Sequence, residues 1–254
     1  MPRIPAARNT LAVLRYLAGR SGPVRASTLA RDLGMPRSSV YQLVRVMMDE
    51  GFVVHYPEDR AYGLSALVVE IGSATMQTER LGRLAGPLMD RLVAESPVAV
   101  VAHLAVLTGA EVTYIGKVQG ARAPTTVSRV GVRLPAHLTA TGRAMLAALP
   151  ASQIRALYPT RDSLVRRVGP GPATLAELDT LLLRTRERGW AAEQGDVMAD
   201  YSSVGAAALD HKGYPIAAIG VTFRSGITDD AVDALGATVV TTAAALGARA
   251  LGRA

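Results

Sequence analysis

Cysteine is absent from the 254 residues. Disulfides, thiolate metal sites and a cysteine nucleophile are therefore excluded, and the chain suits a reducing cytosol without requiring one. Lysine is nearly absent: Lys117 and Lys212 are the only two, so almost all positive charge is arginine. Genomic base composition and selection for bidentate contacts would both produce that bias. Long apolar runs are also lacking. Val98 to Leu107 is too short to span a bilayer and contains His103. The opening MPRIPAARNT has no apolar core of the kind a secretory signal carries. A cytoplasmic protein with no membrane association is expected. His55, His103, His137 and His211 are scattered and show no metal-ligand spacing. Gly-x-Ser-x-Gly, the P-loop and the dinucleotide glycine pattern are missing. No nucleophile and no acid–base pair emerges, so neither an enzyme nor a cofactor is expected.

What is present is balanced in a telling way. Apolar residues make up 49% of the chain, enough for a sizeable core, and the net charge is +7. That charge suits a polyanionic partner without proving one. The length accommodates two modest domains or one large one.

The segment Ser27 to Gly51, STLARDLGMPRSSVYQLVRVMMDEG, carries the most information. It predicts a short helix, a tight turn and a longer helix, the helix-turn-helix that lays its second helix in the DNA major groove. Ala30 supplies the small side chain that crossing helices need. Gly34 suits a turn with positive φ, and Pro36 suits a first helical turn. Val40, Leu43, Val44 and Met47 recur at i, i+3, i+4 and i+7 and form one apolar stripe. Arg37, Ser38, Ser39, Tyr41, Gln42 and Arg45 fall off it and are the candidate DNA contacts, with Ser27 and Thr28 at the start of the first helix. An ordinary helical hairpin with a solvated face has the same periodicity. The polar face short of acids until Asp49 favours DNA. After Gly51, two strands at Phe52–His55 and Ala61–Leu64 flank a turn at Pro57–Asp59 and predict a wing. Arg60 near its tip either touches DNA or pairs with Glu58 or Asp59.

Outside this unit, Thr10–Ala18 predicts a first helix with Leu11, Leu14, Tyr16 and Leu17 as its apolar positions. Ser65 to about Glu79 is proline-free and helix-compatible, a rigid connector rather than a flexible linker. Leu67, Val68, Ile71 and Met76 are its apolar contacts. Beyond it, the pattern predicts a helix at Leu84–Glu95 and strands at Val98–Leu107 and Glu111–Val118, joined at Thr108 and Gly109. A short strand at Thr125–Ser128 and helices at Thr141–Leu149 and Ala151–Leu157 follow. Val165–Thr174 is a loop and Leu175–Arg188 a helix stopped by Gly189. A hairpin of Val204–Leu209 with Pro215–Phe223 precedes a last helix, about Thr228 to Ala250, packed on a sheet. This order suggests an α+β sandwich around a mainly antiparallel sheet.

These residues resemble a known family. LAVLRYLA…STLARDLGMPRSSVYQLVRVMMDEGFV…YGL resembles the winged helix of IclR-type transcriptional regulators. SRVGVRLPAHLTATGRAMLAALP resembles that family's P-x-H…G-[KR]-A-x-L-A segment. RERGWAAEQGD and VGAAALDHKGYPIAAIGVTF resemble its acidic strand and final hairpin. The resemblance covers nearly the whole chain in the expected order. It implies residues 1–65 as a winged helix-turn-helix domain, 66–80 as a connector helix, and 81–254 as a GAF-like α/β effector-binding domain. It implies a ligand-responsive DNA-binding regulator of a catabolic operon, a repressor, with a small organic acid or aromatic catabolite as effector. A double-stranded DNA operator and a homodimer or homotetramer are the implied partners. The alternative is a ligand-independent architectural DNA-binding protein whose C-terminal domain only oligomerises.

Position by position, the resemblance implies a pocket of Leu134, Ala140, Thr141, Gly142, Glu193, Tyr201, Ser203, Gly220 and Thr222. Backbone N–H groups at Ala140, Thr141 and Gly142 would face an anion at a helix start. Each residue also has a plainer role: Thr141 as a helix N-cap, Ser203 and Thr222 as sheet residues, Glu193 paired with an arginine, Tyr201 in the core. His137 beside the pocket is expected to hold its helix by hydrogen bonding. Ser203 and Gly220 stand where relatives can have a cysteine and a hydroxyl residue, which implies extra room for a bulkier effector.

Overall fold

The computed structural model describes residues 4–20, 22–120, 123–126, 128–169 and 171–252, with side chains at 72–77 excepted. The chain divides into two compact units, Met1–Gln77 and Thr78–Ala254.

The first unit begins with α1 (Pro5–Ala18) and β1 (Val24–Arg25), then α2 (Ala26–Asp32) and α3 (Arg37–Asp49). The hairpin β2 (Val53–Tyr56) and β3 (Ala61–Leu64) follows. The first helix starts five residues earlier than expected because Pro5 occupies its first turn, where a missing N–H and a fixed φ do no harm. Its buried positions are Val13 and Leu17, four apart, while Leu11 faces solvent. Gly34 has φ of +64° in the turn between α2 and α3, as expected. Pro36 is the N-cap of α3 with extended ψ, one position outside the first turn that the sequence suggested. Val40, Val44 and Met47 pack with Leu29, Ala30 and Val13 in one core. The wing has a third strand, since β1 pairs with β3; two residues carry too little periodicity to be read as a strand.

The helix α4 (Ala66–Glu95) is continuous, where a connector and a separate helix were expected. Pro87 lies inside it and removes one backbone hydrogen bond without ending it. Met76, expected as an apolar contact, lies outside the described side chains.

The second unit is built on β4 (Val101–Thr108), β5 (Glu111–Gln119), β6 (Arg133–Pro135), β7 (Ala191–Gln194), β8 (Tyr201–Leu209) and β9 (Pro215–Arg224). They form one antiparallel sheet in the order β6-β5-β4-β9-β8-β7. The strand expected at Thr125–Ser128 is not formed: its described residues are irregular, and pairing with β5 falls instead to Arg133–Pro135. Helices α5 (Ala140–Ala147), α6 (Ala151–Leu157), α7 (Leu175–Arg188) and α8 (Asp229–Ala250) complete the unit. One sheet face is covered by α8 and by Leu81, Ala85, Met89 and Leu92 of α4. The other packs against α5, α6 and α7. By length and composition α8 is apolar enough to cross a membrane, but its stripe Leu235, Val239, Ala243 and Leu246 is buried in this core.

Strand alternation sorts residues between the faces. Val204, Ala206 and Ala208 of β8 meet α8, as do Ile219, Val221 and Phe223 of β9. Ser203 and Gly205, with Gly220 and Thr222, therefore belong to the opposite face. Gly205 pairs with Gly220 across the two strands. This bare spot lets the first turn of α5 approach the sheet. A Cβ at Gly205 would come within 2.9 Å of the Ala140 carbonyl carbon and the Thr141 nitrogen. One at Gly220 would meet Thr141 Cγ2 at 2.7 Å and the Val204 carbonyl at 3.1 Å.

Both substitutions to alanine should destabilise the chain by about 1–3 kcal/mol through overpacking, read as a lowered urea midpoint. Combining Gly220→Ala with Thr141→Ser, which deletes the clashing methyl, should restore part of that stability. No recovery in the double variant would mean the helix is not seated this closely.

Candidate functional site

A small cavity of about 30 Å³ opens where α5 meets the sheet, inside a wider cleft of about 470 Å³ that includes open solvent. Eight of the nine residues expected at a pocket line it: Leu134, Ala140, Thr141, Glu193, Tyr201, Ser203, Gly220 and Thr222. His103, Tyr114, Thr126, Ser128, Thr139 and Met198 also line it, and sequence reasoning did not place them there. His103 was hidden within an apolar strand. Its register partner on β9 is Gly220, and that pairing alone puts its ring on the cavity side.

Gly142 does not line the cavity. Its N–H donates to Thr139 Oγ1 at 3.0 Å, so Thr139, not Thr141, is the N-cap of α5. An added Cβ at Gly142 would collide with Ala136 O at 2.2 Å, so the residue serves packing. Thr141 Oγ1 is thereby left buried close to the Tyr114 hydroxyl but without a partner at full hydrogen-bond geometry. The extra room expected at Gly220 is likewise absent, since the Thr141 methyl fills it.

The sheet contributes a polar row. Glu193 pairs with Ser203 across β7 and β8, and Ser203 pairs with Thr222 across β8 and β9. The Ser203 and Thr222 hydroxyls are 3.0 Å apart. Among the described residues Glu193 has no arginine partner. Its Oε1 accepts N–H groups from Asp196 at 2.7 Å and Val197 at 3.2 Å. Burial raises its carboxyl above the ordinary range, opposed by those N–H donors and the Ser203 hydroxyl.

The neighbouring arginine goes to Asp196 instead. Arg143 Nη2 meets Asp196 Oδ2 at 2.6 Å, and both side chains are almost fully buried. Arg143 also donates from Nε to His137 O and from Nη1 to Ala192 O, both at 2.7 Å. Asp196 Oδ1 accepts from Gly171 N at 2.9 Å. This guanidinium ties α5 to β7 and to the loop that closes the cavity. The signal for it was the G-[KR]-A segment, where an arginine interrupts an apolar helix.

Two histidines are buried, and burial lowers the basicity of both. Ser128 Oγ donates to Thr126 Oγ1, so it accepts from His103 Nε2 at 3.1 Å. Burial, reinforced by Lys117, pushes His103 down from 6.5 to about 3. His137 lies off the cavity, where Nε2 donates to Val165 O at 2.8 Å and the ring meets Tyr158 edge-on. That bond ties the 3-10 turn ahead of α5 to the segment at Val165, and not to the pocket helix itself. Among the described residues no group of three or more His, Asp or Glu side chains could hold a metal ion.

In the first unit, Ser27, Arg37, Ser38, Gln42 and Arg45 are exposed, and Tyr41 keeps 56% of its surface in solvent. Thr28 and Ser39 are half-buried. Arg60 is exposed at the β2–β3 turn, with φ of +50°. No ion pair joins it to Glu58 or Asp59 among the described residues, which removes the plainer reading of that side chain.

Residues 6–57 match the IclR helix-turn-helix domain, and residues 73–248 match the bacterial transcriptional regulator IclR C-terminal domain. The chain is 27% identical over 234 residues to the HTH-type transcriptional regulator XynR of Escherichia coli K12, covering 91% of this chain and 90% of XynR. It is 29% identical over 233 residues to the transcriptional repressor IclR of the same organism, covering 91% and 84%. Its fold matches an IclR homolog from Microbacterium hydrocarbonoxydans, crystallised with 4-hydroxybenzoate, at a TM-score of 0.62 and 21% identity, covering 96% and 99%.

The depressed His103 value sets a pH dependence. The ring is neutral when folded and protonates when unfolded, so its contribution is present above 6.5 and disappears as pH falls toward about 3. Each pH unit within that window removes up to about 1.4 kcal/mol. Between pH 7 and pH 5, His103→Gln should therefore lose about 2 kcal/mol less stability than the parent in urea titrations. Equal losses would contradict the buried neutral ring.

Proposed function

Because the chain belongs to the IclR family of bacterial transcriptional regulators, we propose that it is a ligand-responsive repressor of a catabolic operon, released or engaged by a small organic acid or aromatic catabolite in the α5 cavity. The observation that carries this reading is Thr141 Oγ1. A buried hydroxyl without a partner is costly, and this one lines a cavity at the first turn of a helix. Helix geometry leaves the Ala140 and Thr141 N–H groups without intrahelical acceptors. Together they offer a carboxylate two amides, a hydroxyl and the positive end of the helix dipole. The Glu193–Ser203–Thr222 row offers hydrogen bonds to polar groups at the other end of a ligand. The Leu134, Tyr114 and Met198 side chains suit an apolar or aromatic body between them. The homolog bound to 4-hydroxybenzoate and the relatives named as repressors support the same reading. A purely architectural role would give this cavity nothing to do.

On DNA, Arg37, Ser38, Ser39, Tyr41, Gln42 and Arg45 of α3 would enter the major groove. Ser27 and Thr28 would meet phosphates, and Arg60 would reach from the wing. A homodimer or homotetramer would set two winged helices on a palindromic operator. Effector binding would shift the population between two arrangements of those winged helices, transmitted through residues 66–80.

Two outcomes are expected. Arg45→Ala should weaken operator binding by roughly 1–3 kcal/mol if it reads a base; an unchanged titration would remove it from the contacts. In a thermal-shift screen of carboxylic and aromatic acids, a ligand at a hundredfold excess over its Kd should stabilise the protein by about 2.7 kcal/mol. Thr141→Val with Ser203→Ala should abolish that shift and leave DNA binding intact. Because Thr141→Val removes an unsatisfied hydroxyl at constant shape, it should not destabilise the unliganded protein. A response equal to the parent's would sink the pocket assignment.

A further inference from the structure

We propose that Arg20, Arg25 and Arg31 form a seat for a phosphodiester of the DNA backbone, in addition to the α3 and wing contacts. It rests on the DNA-binding reading. These three side chains line one open polar concavity together with Tyr16, Thr28 and Asp32. All three arginines are exposed, so none is spent on the core. Each is nonetheless held by a bond through one edge of its head group. Arg31 donates from Nε to Asp32 Oδ1 at 2.8 Å. Arg20 donates from Nη2 to the Tyr16 hydroxyl at 2.5 Å, and Tyr16 donates to Asp32 Oδ2 at 2.5 Å. Arg25 donates from Nε to the Asp59 carbonyl in the wing turn at 3.3 Å.

A guanidinium has five N–H donors in a planar fork. Tethering Arg25 and Arg31 through Nε leaves the terminal nitrogens of both without a protein acceptor among the described residues. One carboxylate, Asp32, stands against three guanidinium groups, so the concavity carries net positive charge. Its position also fits a polyanion. Thr28 belongs to the first turns of α2, and Asp59 adjoins Arg60 at the wing tip, so the seat lies beside both proposed DNA-facing elements. Arginine pre-oriented in this way suits a tetrahedral anion with several acceptor oxygens. Contacts of this kind position a protein on a duplex and carry no sequence information.

The test uses the full-length protein and a mixed-sequence 30-base-pair duplex labelled for fluorescence anisotropy, titrated at several salt concentrations. Arg25→Gln and Arg31→Gln, both at exposed positions, are compared with the parent and with Arg155→Gln on α6 as a charge control. Thermal melts establish that each variant is folded. For every phosphate that a variant no longer neutralises, the slope of log affinity against log salt should fall by about 0.9. The double variant should therefore show a slope smaller by about 0.9, the one phosphate the seat holds, while Arg155→Gln keeps the parent's slope. If the parent binds and the double variant keeps its slope, the seat is refuted and DNA binding stands. An equal reduction with Arg155→Gln refutes it too, since net charge alone would then explain the effect. If the parent does not bind the duplex at low salt, the DNA-binding reading itself fails, and the seat with it.

Discussion

The second unit depends on how closely the first turn of α5 can lie on the sheet. Two glycines paired across β8 and β9 remove every side chain from that spot. The Ala140–Thr141 backbone drops onto Gly205, and the Thr141 methyl fills the place a Cβ on Gly220 would take. Everything about the cavity follows from this seat. It aims a helix start at the polar row of the sheet, and it buries Thr141 Oγ1. It also requires Gly142, because the preceding 3-10 turn is packed against the same helix end. One side chain larger than hydrogen at any of these three positions would push the helix off its platform.

A position this tight needs an anchor, and Arg143 supplies it. Its guanidinium directs donors to three separate parts of the chain: His137 O, Ala192 O and Asp196. Burying such a pair does not by itself stabilise a fold, because desolvation offsets the attraction. Its effect here is geometric, since Asp196 also accepts from Gly171 and donates to Glu193. The cavity wall, the closing loop and the Glu193 carboxylate are thus held in one hydrogen-bonded chain. Burial keeps His103 neutral and disfavours ionisation of Glu193, so the cavity lining is polar but weakly charged. In such a setting a single uncompensated hydroxyl matters more than it would at a surface.

The first unit solves the opposite problem. Its core is small, made of Val13, Leu17, Leu29, Ala30, Val40, Val44, Met47 and their neighbours. Its surface is where the specific chemistry stands. The exposed side of α3 carries no acid before Asp49 and sets Arg37, Ser38, Gln42 and Arg45 beside exposed Tyr41 and Val46, while Asp32 is the one carboxylate that pairs with both Arg20 and Arg31.

Much of this was legible in the residues. Local rules located the helix-turn-helix, because Gly34 and the Val40–Met47 stripe act within a few residues of themselves. They also bounded α6 and α7, where a proline before the helix and Gly189 after it act as local stops. The resemblance to relatives placed eight cavity residues. The errors share one cause. Whether 125–128 or 133–135 pairs with β5 is decided by partners distant in sequence. So is the choice of Thr139 over Thr141 as N-cap, since Thr141 is claimed by the sheet beneath it. The cavity role of His103, the partner of Arg143 and the reason for Gly220 are likewise invisible along the chain. The sequence by itself determined most of the element types, the winged helix and the family, because periodicity, turn chemistry and motif order are properties of neighbouring residues. Only the tertiary structure decided which buried polar groups found partners and which, Thr141 Oγ1 among them, did not, because hydrogen bonds between distant strands and helices depend on register and close approach.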